Sequence, residues 1–379
     1  MKLTEVCDFQ GGSQPPKNEW SFEKQDGYIR MLQIRDFTQS DSVTPEYIKI
    51  SNSTKICDAD DILIARYGAS IGKILTGLAG AYNVAIMRTI PDTSKLKKRY
   101  LYYYLKSDYF QNAILNVGSR AAQAGFNKED LAKLDIRCPE LSRQEEIINI
   151  LYRIESIIDK RRKELSALDT LIKARFVEMF GDPIYNDKNW ETDTVEQLCK
   201  EIYGGGTPSK LHPEYYEDGD IPWVSSKDMK SDILTDSKIK INKLGVDNSS
   251  ARMVPVNSVI MVIRSGILKH TLPVAINEVP ITVNQDLKVF IPGEKVLSKF
   301  LAFQFKMHEK DILSKVRAVT ADNIEFNSLK QRKMILPPIE LQNEFADFVQ
   351  QIDKLRVVIQ KSLDEAQYLF DSLMQEYFG

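Results

Sequence analysis

The sequence repeats itself with a period close to 200 residues, and this internal duplication constrains the fold more than any other feature. Eight positions recur without a gap 198 residues later. The first copies are Pro139, Leu141, Gln144, Glu146, Ile154, Leu165, Phe180 and Gly181, and the second are Pro337, Ile339, Gln342, Glu344, Ile352, Leu363, Phe378 and Gly379. The period far exceeds that of solenoid repeats, so each unit is predicted to be a whole domain with an appendage.

The regions upstream of these segments correspond more loosely. Cys7 matches Cys199 at an offset of 192 residues, and Asn83 matches Asn284 at an offset of 201. The plan is therefore a variable block followed by a helix, repeated once. The predicted boundaries are residues 1–140 for the first block, 141–181 for the central helix, 182–338 for the second block and 339–379 for the C-terminal helix.

Both ungapped segments predict long helices that pack on each other. Apolar residues recur every seven positions in 142–179 and again in the second copy, and neither stretch contains an internal glycine or proline. Roughly 38 residues give a rod of about 57 Å, which is long enough to hold two domains apart. The predicted contact residues are Leu151, Ile154, Ile158, Leu165, Leu168, Ile172, Phe345, Ile352, Ile359, Leu363, Phe370 and Leu373.

The two helices also differ in charge. Residues 142–180 carry eight basic and seven acidic side chains, whereas residues 340–378 carry three basic and eight acidic ones. Pairing of the helices is therefore favoured electrostatically, although exposed charges contribute little.

Each variable block predicts an α+β domain with a mixed, largely antiparallel sheet. β-like segments occur at residues 28–34 and 62–65 in the first block and at 221–225 and 259–263 in the second. Helical spacing of apolar and aromatic residues follows at 98–113 and 299–315.

Composition excludes several classes of protein. The 51 basic residues are balanced by 53 acidic ones, so the chain is no polyelectrolyte, and it contains neither a bilayer-spanning run nor a basic, apolar leader. We expect a soluble, cytoplasmic protein without membrane partners. Four cysteines without C-x-x-C spacing and three histidines make a metal centre improbable. The segment 68–73 resembles a phosphate loop but is one residue short and lacks the following Ser or Thr.

A variable α/β block and a long helix, repeated once, with Pro139, Leu141 and Gln144 at the helix start and Met-Phe-Gly-Asp-Pro at 179–183, resembles the specificity subunit of Type I restriction-modification systems. The resemblance covers essentially the whole chain. It implies two target-recognition domains, each binding one half of a bipartite double-stranded DNA sequence. It also implies that the helices form an antiparallel coiled coil, which sets the spacer and docks two methyltransferase subunits. Restriction subunits would complete the nuclease.

The same resemblance implies a reader without catalytic activity. The sequence contains no Asn-Pro-Pro-Tyr or Asn-Pro-Pro-Phe motif of an adenine methyltransferase and no convincing glycine fingerprint for S-adenosylmethionine. We therefore expect no cofactor on this chain and S-adenosylmethionine, ATP and Mg²⁺ on the partner subunits only. Flipping of the target base would fall to the methyltransferase.

Candidate DNA-contacting residues follow from side-chain chemistry and from matching loop positions. Arg, Lys, Asn and Gln read base edges, while cations and turn amides bind phosphates. The candidates in the first block are Arg30, Gln33, Arg35, Arg66, Tyr67, Ser70, Lys73, Arg120 and Gln123. Those in the second are Thr207, Ser209, Lys210, Ser225, Ser226, Lys227, Arg264, Ser265, Lys269, Arg317 and Thr320.

Two pairs among these candidates are favoured because both copies keep an arginine. They are Arg66 with Arg264, and Arg120 with Arg317. For any single candidate, an ordinary surface position is the alternative. Asp36 and Asp228 are predicted to cap turns rather than to accept a hydrogen bond from cytosine.

Two other functions compete with the DNA reader. A structural or assembly protein could use the duplicated domains to bind protein or carbohydrate and the coiled coil as a spacer. A stand-alone nuclease would need carboxylates and a lysine around a metal, and the sequence offers no such cluster.

Overall fold

The computed structural model describes residues 1–39, 42–118, 125–318 and 322–379. The chain divides into two compact units, which are Met1–Lys163 with Gln360–Gly379 (unit 1) and Glu164–Ile359 (unit 2). Each unit thus combines one variable block with a segment of each long helix. None of the helices in the described ranges has the length and apolar character that crossing a membrane requires.

The described residues of unit 1 form two sheets. Its strands are β1 (Cys7–Gly11), β2 (Trp20–Ser21), β3 (Tyr28–Leu32), β4 (Glu46–Lys49), β5 (Ile56–Cys57), β6 (Leu63–Ala65), β7 (Ile74–Leu75), β8 (Gly80–Tyr82) and β9 (Ile86–Pro91). One sheet has the order β1-β9-β6-β7 and the other β2-β4-β3-β8-β5. The helices are α1 (Ile34–Thr38), α2 (Lys98–Lys106), α3 (Asp108–Gly118), α4 (Lys128–Leu131) and the start of α5 (Leu141–Phe180).

Unit 2 repeats this plan. Its strands are β10 (Thr192–Thr194), β11 (Cys199–Gly204), β12 (Ile221–Val224), β13 (Ile233–Leu234), β14 (Lys240–Ile241), β15 (Val259–Val262), β16 (Val274–Asn277), β17 (Thr282–Val283), β18 (Leu287–Pro292), β19 (Arg317–Ala318), β20 (Asp322–Asn323) and β21 (Lys333–Ile335). The larger sheets are β11-β18-β15-β16-β13 and β14-β12-β17, beside the pairs β10-β21 and β19-β20. The helices are α6 (Val195–Leu198), α7 (Lys243–Asp247), α8 (Ser298–Met307), α9 (Glu309–Ser314), α10 (Phe326–Lys330) and the start of α11 (Ile339–Phe378).

The predicted mixed, largely antiparallel sheets are confirmed. In the described ranges only β3–β8, β12–β17 and β13–β16 pair in parallel. The strand pairs β1–β9 and β11–β18 correspond, because Gly11 faces Met87 and Gly204 faces Lys288, although β11 has a register shift between Cys199 and Glu201. Alternating residues of these strands point into the core of each unit, as Phe9 does in unit 1 and Val289 in unit 2.

The helical region after each sheet differs from the sequence prediction. Residues 98–113 were predicted as one helix, but the chain leaves the helix at Ser107, whose backbone is extended. The Ser107 hydroxyl accepts the N–H of Phe110 at 3.3 Å and so caps the next helix. His308 divides α8 from α9 in unit 2. Helical periodicity alone does not reveal such breaks.

Within each unit the two long-helix segments run antiparallel. In unit 1, Arg137 just before α5 donates to the carbonyl of Glu376, while Arg161 Nε donates to Ser362 Oγ at 3.2 Å. In unit 2, Asp169 pairs with Arg356 at 2.7 Å, and Arg175 pairs with Glu344 at 2.8 Å.

The structure places all twelve predicted contact residues of the long helices away from solvent. Eight are buried and four are half-buried. The half-buried ones are Leu165, Leu363, Phe370 and Leu373. The C-terminal end of each long helix packs on aromatic side chains. The ring centroids of Phe378 and Tyr100 are 5.0 Å apart in unit 1, and those of Phe180 and Phe300 are 4.9 Å apart in unit 2.

The glycines that open each block are required by close packing. A Cβ built on Gly12 would lie 2.1 Å from the carbonyl oxygen of Asn83, and one on Gly205 would lie 2.0 Å from that of Val283. Neither glycine has a positive φ. The sequence pattern indicated a permissive turn here, but the physical reason for glycine is the approach of a second backbone segment.

Candidate nucleic-acid interface

The first arginine loop, Arg66–Lys73, follows strand β6. Arg66 Nε donates to the carbonyl of Phe126 at 3.3 Å, and the guanidinium lies 5.0 Å from the centroid of the Tyr67 ring. The backbone of Tyr67 bridges to Gly125, where a Cβ would lie 2.3 Å from the ring. Strand β6 and the segment around Gly125 therefore fix the position of an arginine stacked on an exposed tyrosine.

The second arginine loop, Arg264–Lys269, lies at the equivalent place in unit 2. It follows strand β15, and the backbone of Arg264 bridges to Asn323 at the end of β20. Ser265 caps the 3₁₀ turn that ends at Lys269, because its hydroxyl accepts the N–H of Ile267. The strand pair β19–β20, whose first strand begins at Arg317, is thereby joined to this loop.

Several candidates therefore fall into one matched site in each unit. Unit 1 brings together Arg66, Tyr67, Ser70 and Lys73, and unit 2 brings together Arg264, Ser265, Lys269 and the backbone of Arg317. Arg120, Gln123 and Thr320 lie outside the described residues. Guanidinium and ammonium groups beside hydroxyls can bind phosphates and base edges.

Three candidates of the first block form a separate cluster of ion pairs. Arg30 pairs with Asp36 at 2.7 Å, and the side chains of Gln33 and Arg35 both contact Glu46. Asp36 is buried and accepts the N–H of Gln33 at 2.9 Å, which is the predicted turn-capping role. These side chains hold helix α1 against strand β4.

The remaining candidates of the second block occupy two turns. The Thr207 hydroxyl contacts Gln285, and Ser209 Oγ accepts the N–H of Leu211 at 3.3 Å. Ser225 Oγ donates to Asp228 at 2.7 Å, so Asp228 also caps a turn. The same two turns contain the exposed Lys210 and Lys227 and the half-buried Ser226.

Two residues at this site were missed by the sequence analysis. Asp286 Oδ1 accepts from Arg264 Nε at 2.7 Å, and the Lys288 ammonium lies 4.5 Å from the Phe326 ring. Burial, and then the charge of Lys330, lower the pKa of Lys288. The alignment of Asn83 with Asn284 contained the signal, because it places Ala85 opposite Asp286 and Met87 opposite Lys288.

The cysteine thiols are poor nucleophiles. Burial raises the pKa of Cys57 to about 11 and the pKa values of Cys7 and Cys199 to about 12 each. Across the described ranges, no group of three or more His, Cys, Asp or Glu side chains could hold a metal ion. The side chains of the arginine loops can form hydrogen bonds and ion pairs.

The fold and the matched loops define an internally duplicated α+β protein that presents the same arginine-bearing surface twice. Residues 1–168 and 187–366 match the Type I restriction modification DNA specificity domain. The chain therefore belongs to the family of Type I restriction-modification DNA specificity proteins, as the resemblance indicated.

Individual relatives agree with this assignment. The EcoR124I/EcoR124II specificity subunit of a Type I restriction enzyme from Escherichia coli is 30% identical over 291 residues, which cover 73% of this chain and 68% of the relative. The MjaIX specificity subunit of Methanocaldococcus jannaschii is 21% identical over 407 residues, covering 98% of this chain and 90% of the relative.

Solved structures share the fold. A Type I restriction-modification S subunit from M. genitalium superposes with a TM-score of 0.60 at 14% identity and covers 100% of this chain and 95% of that one. A chain from a study of complex assembly and conformational transition of the type I R-M system also gives 0.60, at 16% identity, over 100% of this chain and 96% of that one.

Proposed function

We propose that this specificity subunit reads a bipartite DNA sequence, with one half-site bound by each arginine loop. The observation that carries the proposal is the matched construction of Arg66–Lys73 and Arg264–Lys269 in the two units. The target-recognition domains would span residues 1–140 and 182–338. The long helices, 141–181 and 339–379, would set the number of base pairs between the half-sites.

Linking two weak readers makes the spacing of the half-sites part of what is recognised. The second binding event becomes intramolecular, and it gains effective concentration only when the half-sites lie at the separation that the linkage allows. Near electroneutrality of the chain, at a formal net charge of −2, agrees with weak binding by each reader.

The chain would act without catalytic groups of its own. Methyl transfer and cleavage are assigned to methyltransferase and restriction subunits, and S-adenosylmethionine, ATP and Mg²⁺ would bind there. The raised pKa values of the buried cysteines support this assignment, because a neutral thiol is a weak nucleophile.

Each unit also offers an apolar helix surface for a methyltransferase subunit. In unit 2, Val357 and Val358 of α11 are 69% and 65% exposed. In unit 1, Tyr368 of α11 is 76% exposed, and Tyr152 of α5 is 57% exposed. Large exposed apolar side chains on a helix are candidates for protein interaction surfaces. Two such surfaces fit two methyltransferase subunits.

The protein-scaffold alternative is not favoured. It would explain the duplicated domains and the paired helices, but it assigns no role to an arginine that follows the equivalent strand in both units. Binding that ignores DNA even in the presence of the methyltransferase would restore it.

The test is to co-express the chain with the methyltransferase encoded beside it and to map methylated adenines across the genome. We expect one bipartite motif that disappears when this chain is deleted. Exchanging one variable block should change one half of the motif only. A well-folded complex that yields no motif would contradict the proposal.

Docking is tested separately by co-purification. The double substitution Val357→Asp and Val358→Asp should reduce the yield of bound methyltransferase, because it places charge on the apolar surface. Leu244→Asp is the matched control, since Leu244 is 49% exposed but lies on α7. Equal retention of the methyltransferase by both variants would remove this surface from the proposal.

A further inference from the structure

The two arginine loops differ in one respect that bears on what each can recognise. In unit 2 the guanidinium of Arg264 is held by a carboxylate, because both Nε and Nη2 contact Asp286 Oδ1, at 2.7 and 2.6 Å. In unit 1 the guanidinium of Arg66 contacts backbone carbonyls, those of Phe126 and Val84, and forms no ion pair with any described residue.

The difference arises at one position of the repeat. Asn83 Oδ1 accepts the N–H of Ala85 at 3.1 Å, and Asn284 Oδ1 accepts the N–H of Asp286 at the same distance. The same Asn turn therefore presents a methyl group in unit 1 and a carboxylate in unit 2. The backbone N–H of each loop arginine also donates to this residue, Ala85 or Asp286.

The carboxylate of Asp286 is itself held by a neighbouring side chain. Its second oxygen accepts from Asn284 Nδ2 at 3.2 Å, and the N–H of Asn284, which is only 7% exposed, donates to the carbonyl of Val224. A chain of hydrogen bonds thus runs from a buried strand through Asn284 and Asp286 to the arginine. A carboxylate anchored through one oxygen presents the other oxygen to its bound guanidinium in a fixed position.

The geometry leaves the terminal edge of the Arg264 guanidinium available to a ligand. A guanidinium has five N–H groups, and the contact through Nε and Nη2 to one oxygen uses two of them. Its terminal edge, made by Nη1 and the outer Nη2 hydrogen, has no partner among the described side chains, and the side chain is 48% exposed. That edge matches the O6 and N7 acceptors of guanine, which arginine contacts with two parallel hydrogen bonds.

A second arginine in unit 2 shows that this arrangement is not general. Arg252 binds Glu201 end-on, with Nη1 on Oε1 at 2.6 Å and Nη2 on Oε2 at 2.9 Å. Its terminal edge is therefore occupied by the carboxylate, although its exposure, 52%, is similar to that of Arg264. Arg252 can contribute charge, but its two terminal nitrogens cannot both bind a base while this pair is formed.

We propose that Asp286 is a positioning residue that presents Arg264 to a guanine in the major groove, and that this guanine is an obligatory base of the half-site read by unit 2. The inference rests on the proposed function. Arg66, which lacks such a carboxylate, contributes a phosphate or stacking contact that depends less on sequence.

The experiment maps methylation by the full complex carrying Asp286→Ala. We expect the half-site read by unit 2 to accept other bases at one G·C pair, with about a 10-fold loss of discrimination there and no change in the other half. Arg264→Lys should relax the same base pair, since an ammonium cannot form the paired hydrogen bonds. Asp286→Asn keeps one acceptor oxygen and should restore part of the discrimination.

Glu201→Ala is the matched control, because it frees Arg252 outside the arginine loop, and the motif should remain unchanged. Competition binding with duplexes substituted at each base pair gives an independent readout. An unchanged motif in both Asp286→Ala and Arg264→Lys would overturn the inference. So would a uniform gain in affinity for all duplexes, because the carboxylate would then only mask positive charge. If the proposed function itself is wrong, the complex without substitutions will already yield no methylation motif.

Discussion

The side-chain oxygen of Gln144 accepts the backbone N–H of Lys97 at 2.9 Å, and Gln342 repeats this contact with Leu297 at 3.0 Å. Both glutamines are fully buried. The amide nitrogen of Gln144 also donates to the carbonyls of Lys95 and Pro139, and that of Gln342 makes the two equivalent bonds. Each glutamine therefore joins the start of a long helix to the loop before α2 or α8.

Replacing either glutamine should destabilise its own unit. Gln144→Leu removes the hydrogen bonds to the Lys97 N–H and to the carbonyls of Lys95 and Pro139 and leaves these backbone groups without those partners, which costs about 2–3 kcal/mol. Chemical unfolding monitored by circular dichroism would measure the loss. Arg143→Leu is the control, because Arg143 is exposed and its pair with Glu146 contributes little. Equal stability of both variants would show that the hydrogen bonds of Gln144 contribute little to the stability of unit 1.

The close approach at Gly205 gives a second prediction. Gly205→Ala places a methyl group 2.0 Å from a backbone oxygen that cannot move alone, so we expect a loss of about 1–3 kcal/mol. Gly12→Ala should have a similar effect in unit 1. Gly266→Ala serves as control, because a Cβ there meets nothing within 4 Å. Differential scanning calorimetry would separate the variants, and a Gly205→Ala melting temperature equal to that of Gly266→Ala would refute the steric argument.

Much of the fold could be predicted because its strongest signals are local. The seven-residue spacing and the ungapped repeat gave both long helices within a few residues of their observed ends. The parallel pairing of β3 with β8 could not be predicted, because strands separated by about 50 residues carry no pairing signal in a single sequence. The break at Ser107 was hidden by continuous helical periodicity.

The candidate site was predictable only in part, for a related reason. Gln33 and Arg35 look available in the sequence, but the antiparallel pairing of β3 with β4 sets Glu46 opposite Met31 and supplies both with a carboxylate, while Arg30 pairs with Asp36. Arg264 was selected from chemistry, whereas its partner Asp286 lies 22 residues later. Partners of charged side chains depend on tertiary structure, so residue type alone does not identify a free charge.

The isolated chain should bind DNA weakly. Its formal net charge of −2 provides little counterion release, and each reader is small. We expect a gel shift only at micromolar protein, without preference among sequences, and specific retention once the methyltransferase is added. Strong, sequence-specific retention by the purified chain alone would contradict this expectation.

The antiparallel packing within unit 1 can be tested by cross-linking. Cysteines replacing Arg161 and Ser362 should react with a short bifunctional maleimide, since the parent side chains are 3.2 Å apart. Native Cys7, Cys57 and Cys199 should react slowly at neutral pH because burial raises their pKa values. The control pairs Arg161→Cys with Ser372→Cys, ten residues or about 15 Å further along α11. Equal cross-linking of both pairs would argue against the observed register.

His308, between α8 and α9, is a buried histidine in a charged neighbourhood. It is 3% exposed, its Nδ1 lies 3.1 Å from Arg332 Nη1, and Arg332 pairs with Asp311 at 2.6 Å. Burial, and then the charge of Arg332, lower the pKa of His308 from 6.5 to about 4, although Asp311 and Asp182 act in the opposite direction. The imidazole is therefore neutral in the folded protein at pH values where it is protonated in the unfolded chain.

This depressed pKa predicts that unit 2 loses stability in mild acid. Between pH 6.5 and about 4 the unfolded state binds a proton that the folded state does not, so the free energy of unfolding falls as the pH decreases through this window. The full effect is on the order of 3 kcal/mol. Urea unfolding at pH 7.5, 6.0 and 5.0 should show a steeper pH dependence for the parent protein than for His308→Gln. His212→Gln, a histidine substitution at an exposed position of unit 2, is the control. Identical slopes for the parent and His308→Gln would exclude His308 as the source of acid sensitivity.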